Sequence, residues 1–515
     1  MISRRRVLQS SLLLGCAGAG AGIAHRYEVI NVSDFGVVGD GVTDNSIKLI
    51  EMRDKLIARG RKHPYEIVFQ KGRYLYTNNR WLMGLMDVKV KGNNTELQCI
   101  SPSASIYDYA PFPRDGMFCL QGDRSGLGGM EYVSGSRIQS APSGQEFLEF
   151  FSPELNSTIM EGDNVLIHGY AQQASGYTPN LRYFEWNKVA AVNGSKVILE
   201  SGLKNSYSSS WNDLIYNDTP IEIQEPVVKI GAARILKLSN RPQRVGVYNY
   251  AERIELSNIT ILDNPMFSDK YYGLTLQARE VVIDNLDLSK SPQTLVIARE
   301  CEFFSLSNSK IAGVVELDKV AECCVLKNNT IVGGPEAHSH AIKSGTGVSN
   351  LVLKNNEFYK RVNVIASNIV IENNLISTLE QPNTERFSSI RFYNGTWGGY
   401  FCNVLNNTFI RNDKQKDIIE DWLKYEISEL DTDKNIVVTT VVGKRLNDAL
   451  KSLRPGFKLF SENGELIGVV SSLRAGLREN SSIVEVTWQK PVSQGVTVKW
   501  RNMQKVHLNG SVLWQ

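Results

Sequence analysis

No two of the seven cysteines are spaced as Cys-x-x-Cys and no histidines accompany them, so the pattern of a structural zinc module is absent. Charge of one sign is lacking too. The 57 Lys and Arg residues nearly balance 54 Asp and Glu, leaving a formal +3, which excludes a polybasic nucleic-acid surface but allows a local basic stripe. Long apolar runs are missing; the longest apolar segment, at the N-terminus, is too short to span a membrane. Histidine is scarce, with six residues, and neither an Asp-Asp pair nor an Asn-Thr-Asp triplet occurs. At 42% hydrophobic and 22% charged residues the chain is not of disordered composition. A length of 515 residues calls for several domains or one elongated repeat.

The N-terminus reads as a signal peptide over residues 1–24. Ser3-Arg4-Arg5-Arg6-Val7-Leu8 precedes Leu12-Leu13-Leu14 and a stretch of small residues from Gly15 to Ala24. The order Ser-Arg-Arg-x-Val-Leu resembles the twin-arginine export signal, which carries folded proteins out of the bacterial cytoplasm. Two cleavage readings stand. Leu13-Leu14-Gly15-Cys16 resembles a lipoprotein box with a lipid anchor at Cys16, and Gly22-Ile23-Ala24 is an ordinary small-residue site. The expected location is therefore the periplasm, the outer membrane as a lipoprotein, or the medium. Disulfides are not required of a protein that folds before export.

Past the signal, Asp34-Phe35-Gly36-Val37-Val38-Gly39-Asp40-Gly41-Val42-Thr43-Asp44 leads into an amphipathic stretch, Ser46 to Arg59. The glycines permit tight turns and Thr43 or Asp44 caps a helix. This opening resembles that of the pectate-lyase superfamily, in which such a helix covers the open end of a parallel β-helix. The resemblance concerns architecture, since the same opening precedes lyases, hydrolases, epimerases and tail spikes.

The repeats carry the same expectation independently. Leu256-Ser257-Asn258-Ile259, Ile283-Asp284-Asn285-Leu286, Leu306-Ser307-Asn308-Ser309, Leu326-Lys327-Asn328-Asn329, Leu353-Lys354-Asn355-Asn356, Ile371-Glu372-Asn373-Asn374 and Leu405-Asn406-Asn407 recur at roughly 20 to 27 residues, a solenoid period. Alternation places Val, Ile and Leu inside, and asparagine tolerates a left-handed corner. The asparagines from Asn258 to Asn406 are expected to stack as a structural ladder. The fold class is all-β: a right-handed, single-stranded parallel β-helix over 27–411 with an N-terminal capping helix. A β-rich insertion is expected at about 122–207, in which Gly162–Ile167 pairs with Val189–Leu199 and the aromatic residues Tyr170, Tyr177, Tyr183, Phe184 and Trp186 serve packing more than sugar contact. A helix from Asp413 to Glu426 and a small β domain would complete 412–515.

Chemistry concentrates in Gly333-Gly334-Pro335-Glu336-Ala337-His338-Ser339-His340-Ala341-Ile342-Lys343-Ser344, which interrupts the regular coil with a polar turn. Glu336, His338 and His340 would also suit a divalent ion, though no fourth ligand is evident. No cofactor is required; calcium is the one ion left open. The stretch from Ala341 to Phe358 resembles part of the alginate lyase and chondroitinase B family. That resemblance makes Lys343 the base and Arg361 the assisting arginine, although the Arg-His-Gly context of that family is replaced by Tyr359-Lys360-Arg361-Val362. A second group, Arg391 with Tyr393 and Trp397, offers a fork for a carboxylate and flat faces for sugar rings.

The sequence thus points to an exported protein acting on a polysaccharide, acidic sugars included, with no nucleic-acid partner and no membrane span in the mature chain. β-Elimination at a uronic acid leads, with Lys343 or a neutral histidine, His338 or His340, as the base and Arg361 or Arg391 neutralising the carboxylate. A hydrolase using Glu316, Asp318 or Glu336 and a non-catalytic binding protein of polymer synthesis are the alternatives; the absent Asp-Asp pair weighs against a polygalacturonase-like hydrolase. Changing Arg4 and Arg5 together to lysine should strand the precursor in the cytoplasm, read by cell fractionation, and normal export would refute the twin-arginine route.

Overall fold

A computed structural model describes residues 26–514 apart from 61–62, 79–80, 83, 101–117, 122–138, 140, 150–160, 163, 170–182, 205–214, 217–218, 221–243, 247–250, 264–270, 291–293, 337–338, 345–347, 367, 393–398, 420–421, 427–428, 432–435, 441–455, 476–480, 491–492, 494–496 and 502. The signal, Cys16, His338, Tyr393 and Trp397 lie outside the described residues. Among the described residues no helix is long and apolar enough to cross a membrane.

The chain coils into a parallel β-helix whose strands form three ladders. In the coil around Asn355, strand Asn350–Lys354 belongs to the first ladder, Glu357–Phe358 to the second and Val362–Val364 to the third. The next coil repeats this with Asn368–Glu372, Leu375–Ser377 and Ser388–Phe392, each pairing in parallel with its predecessor. Inward residues make one continuous core from Ile30 to Trp514. The helix Ser46–Gly60 buries Leu49, Met52 and Leu56 in that core. In the opening motif Gly36 and Gly41 take φ of +77° and +74°, where a side chain would be strained. Asp44 Oδ1 accepts the Ser46 backbone N–H at 2.9 Å at the start of the helix.

The corner between the first and second ladders is where the asparagines act. Asn258, Asn285, Asn308, Asn328, Asn355, Asn373 and Asn406 all adopt φ between +51° and +58°. Some stack on one another: Asn285 donates to Asn258 at 2.8 Å and Asn328 to Asn308 at 3.1 Å, on the exposed side of the corner. The buried ladder runs one residue further on. Asn356 donates from Nδ2 to Leu326 O and to Asn374 Oδ1, both at 2.9 Å, and accepts the Asn329 N–H at 3.0 Å; Asn374 makes the same bonds to Leu353 O and Asn407. Successive ladder partners are 20, 27, 18 and 33 residues apart, a wider spread than the sequence period, because the connections into and out of the third ladder change length.

Several expected boundaries move. No described residue from Asp413 to Glu426 is helical: Lys416–Ile419 pairs with Ser388–Phe392 as a further coil strand, and Trp422–Glu426 pairs antiparallel with Thr497–Arg501. The charged composition suggested a helix, but partners distant in sequence make both segments strands. The β-helix therefore continues past 411. Its last first-ladder strand is Met503–Leu508, parallel to Gly399–Leu405, so the antiparallel sheet of seven strands within 422–501 is an insertion in the final coil rather than a tail. The earlier insertion is also larger than 122–207, because Arg244–Gly246 pairs with Asn164–Gly169. Asn164–Gly169 pairs with 183–188, while the end of that strand forms a hairpin with Lys196–Leu199. Trp186 is buried there, as packing requires. Cys99, Cys301, Cys324 and Cys402 are buried thiols, whereas Cys323 is held in a disulfide that folding before export did not call for.

Replacing Asn356 by alanine should lower the unfolding free energy by about 3 kcal/mol or more, because it strands several buried polar groups at about 1–3 kcal/mol each. Asn355→Gly, at an exposed left-handed corner, should stay within about 1 kcal/mol of the parent. Chemical denaturation of both variants checks the contrast, and equal losses would contradict it.

Candidate functional site

Both inserted units leave the coil directly after a strand of the third ladder: the first follows Phe118–Gln121 and the second follows Lys416–Ile419. The variable connections 332–341 and 378–387 enter the same ladder from its other side. Its outward face is thus the part of the solenoid around which the irregular sequence gathers, and irregular segments on a rigid frame are where binding residues concentrate.

Strand alternation decides what projects there. Ile342, Val362, Val364, Ile390 and Phe392 fill the core, so Lys343, Asn363 and Arg391 point outward. Register sets them in one row, Glu316 beside Lys343, Lys343 beside Asn363, and Asn363 beside Arg391, at about 4.8 Å per rung. Lys343 Nζ donates to Glu316 Oε1 at 3.0 Å, with both side chains partly exposed at 30% and 25%. Arg361 stands one residue before Asn363, and its guanidinium lies over the Phe387 ring at 5.1 Å. Burial, and then the charge of Arg391, lower the Arg361 pKa from its ordinary value. Two guanidinium groups on successive rungs therefore share one electrostatic environment.

His340 enters from the adjoining turn. Burial and then the charges of Lys343 and Arg361 bring its pKa down to about 4, so the imidazole is neutral at pH 7. Among the described residues its Nδ1 is buried without a hydrogen-bond partner, and none of them selects its tautomer through that atom. The turn itself is clamped. Gln381 Nε2 donates to Ser339 O at 2.7 Å while Gln381 Oε1 accepts the Arg361 N–H at 2.9 Å, and the buried Lys360 donates to Glu336 O at 2.8 Å. Glu336 is exposed and contributes that backbone oxygen to the clamp.

Of the residues singled out in the sequence, Lys343, His340, Arg361 and Arg391 come together on this face. His338, Tyr393 and Trp397 are not described. Among the described residues no group of three or more His, Cys, Asp or Glu side chains converges to hold a metal. Sequence reading missed Asn363, hidden as the polar member of Val362-Asn363-Val364, and Ser389. Both are buried at outward positions, with Asn363 Oδ1 and Ser389 Oγ lacking hydrogen-bond partners among the described residues. Only register puts them beside the cations.

No protein-family model and no curated protein sequence matches the chain. Among solved structures it is similar to the tailspike of Pseudomonas phage phi297 at 11% identity and a TM-score of 0.30, over 92% of this chain and 98% of that one. It is also similar to the mannuronan C-5 epimerase A-module of Azotobacter vinelandii at 11% identity and a TM-score of 0.33, over 76% and 91%. The family 28 exopolygalacturonase of Yersinia enterocolitica is similar at 12% identity and a TM-score of 0.23, over 76% and 78%. Likeness at these values does not extend to chemistry.

The lowered His340 pKa has a consequence for stability. The unfolded chain protonates this histidine near its ordinary value of about 6.5, the folded chain only near 4, so the unfolded state binds more protons between the two. The contribution is complete above pH 6.5 and is lost as pH falls through that window. Denaturant unfolding from pH 7 to 4 should show a shallower decline for His340→Gln than for the parent, and parallel declines would count against it.

Proposed function

We propose that the protein is an exported β-helix enzyme that binds an acidic polysaccharide along the outward face of the third ladder and cleaves it by β-elimination at a uronate residue. The observation that carries this reading is the juxtaposition of a neutral imidazole with two neighbouring guanidinium groups, at His340, Arg361 and Arg391. Export rests on the N-terminal signal, with a lipid anchor at Cys16 or cleavage after Ala24 as its two forms.

Elimination needs three roles, and this face offers a group for each. Arg361 and Arg391 receive the substrate carboxylate, drawing charge from C5 and acidifying its hydrogen. Neutral His340 accepts the C5 proton; the released electron pair forms the C4–C5 double bond and the C4–O bond breaks. The Lys343 ammonium, held at Glu316, gives a proton to the departing oxygen. This assigns Lys343 the acid and not the base, since an ammonium paired with a carboxylate has no lone pair to accept a proton. The same pairing engages Glu316, one of the carboxylates a hydrolase would use.

The test is incubation of the purified protein with uronate polymers while recording the ultraviolet absorbance of unsaturated ends. Parent protein should generate it, with an acid limb near pH 4 set by His340. His340→Ala and Lys343→Ala should each lose about 100-fold to 10,000-fold in turnover with binding retained. A Lys343→Ala protein of weakened, salt-sensitive affinity and unchanged turnover would reduce Lys343 to a binding residue. Binding of uronate polymers without any unsaturated product would leave a binding protein.

A further inference from the structure

Asn363 is 4% exposed although it occupies an outward position, and Ser389, also outward, is fully buried. Among the described residues Asn363 Oδ1 has no hydrogen-bond partner, nor have Ser389 Oγ one rung on and His340 Nδ1 in the adjoining turn. The asparagines of the buried corner ladder differ: each of Asn329, Asn356 and Asn374 makes two bonds through Nδ2 alone. Burying an acceptor without a donor costs stability. Buried unpaired atoms occur elsewhere too, Asn403 Oδ1 among them, but Asn363 Oδ1 lies in the row between Lys343 and Arg391, where a ligand drawn by the cations would supply the missing donor.

We propose that Asn363 is the specificity-determining residue of this face: its Oδ1 accepts a hydroxyl of the sugar ring set between Lys343 and Arg391. The inference rests on the reading that this face holds a uronate chain. The substrate carboxylate draws the cationic head of Arg391 toward itself, and the neighbouring amide then meets the ring. A hydroxyl is both donor and acceptor, whereas an O-acetyl ester keeps acceptors only. The acceptor therefore selects uronate residues with a free hydroxyl and refuses O-acetylated ones, because an ester there leaves Oδ1 buried and unpaired and brings its own oxygen against it. The polymer would be taken in its unacetylated stretches.

The experiment measures affinity and turnover of the full chain on polygalacturonate, polymannuronate and polyglucuronate, each with and without O-acetyl groups. The parent should prefer the unacetylated form of the polymer it binds by about tenfold or more. Asn363→Ala should bring that ratio close to one while its thermal midpoint holds or rises, since an unpaired buried acceptor has been removed. Asn363→Asp keeps an acceptor and should keep the preference, with weaker overall binding from the added charge. A parent-like ratio in Asn363→Ala, or a lowered midpoint with the ratio intact, would make Asn363 structural and overturn the proposal. If polymer binds but is never cleaved, elimination fails while the ratio still decides the role of Asn363. If none of the polymers binds in either form, the uronate reading itself falls.

Discussion

The whole molecule depends on a backbone corner that most residues avoid. At each turn of the coil one residue must take a left-handed conformation so that two short strands meet at an angle, and here asparagine supplies it, from Asn258 to Asn406. The corner would expose polar backbone at the core were it not for the next position. There Asn329, Asn356, Asn374 and Asn407 pass hydrogen bonds along the axis from coil to coil. Sheet hydrogen bonds alone bind neighbouring coils; this buried amide row also fixes their register, because a coil shifted by one residue would lose it.

Fixed register is what assembles the candidate site. Glu316, Lys343, Asn363 and Arg391 are far apart in sequence, and they become neighbours because parallel strands align them rung by rung. A face built in this way has rigid spacing along the axis, matched in direction to a long polymer. The connections around it are free to change length, since the ladders on the other sides hold the coil together. Both inserted units use that freedom, and so does the turn that carries His340, which Gln381 and Lys360 tie back to the frame.

The electrostatics of the face follow from the same crowding. Burial, and then the charge of Arg391, lower the pKa of Arg361; burial, and then the charges of Lys343 and Arg361, keep the His340 imidazole neutral. Lys343 is steadied by Glu316 at the edge of this positive field. Such an arrangement is unfavourable for the free protein and favourable for an anion, the balance expected where binding rather than stability selected the residues.

By itself the sequence determined the solenoid. Repeated apolar alternation around an asparagine has one economical packing, and the glycine-rich opening before an amphipathic stretch placed the cap, because these signals are local and recur. It also marked Lys343, His340, Arg361 and Arg391, since charge in a break of the repeat is visible without coordinates. Tertiary structure decided what depends on pairing across long separations. Lys416–Ile419 and Trp422–Glu426 became strands where composition suggested a helix, and the seven-stranded sheet proved to be inserted in a coil that Met503–Leu508 completes. It alone brought Asn363 and Ser389 to the cations and engaged Lys343 with Glu316. Which coil residue lies beside which is set by the number of residues in each connection, and that count has meaning only once the coils are stacked.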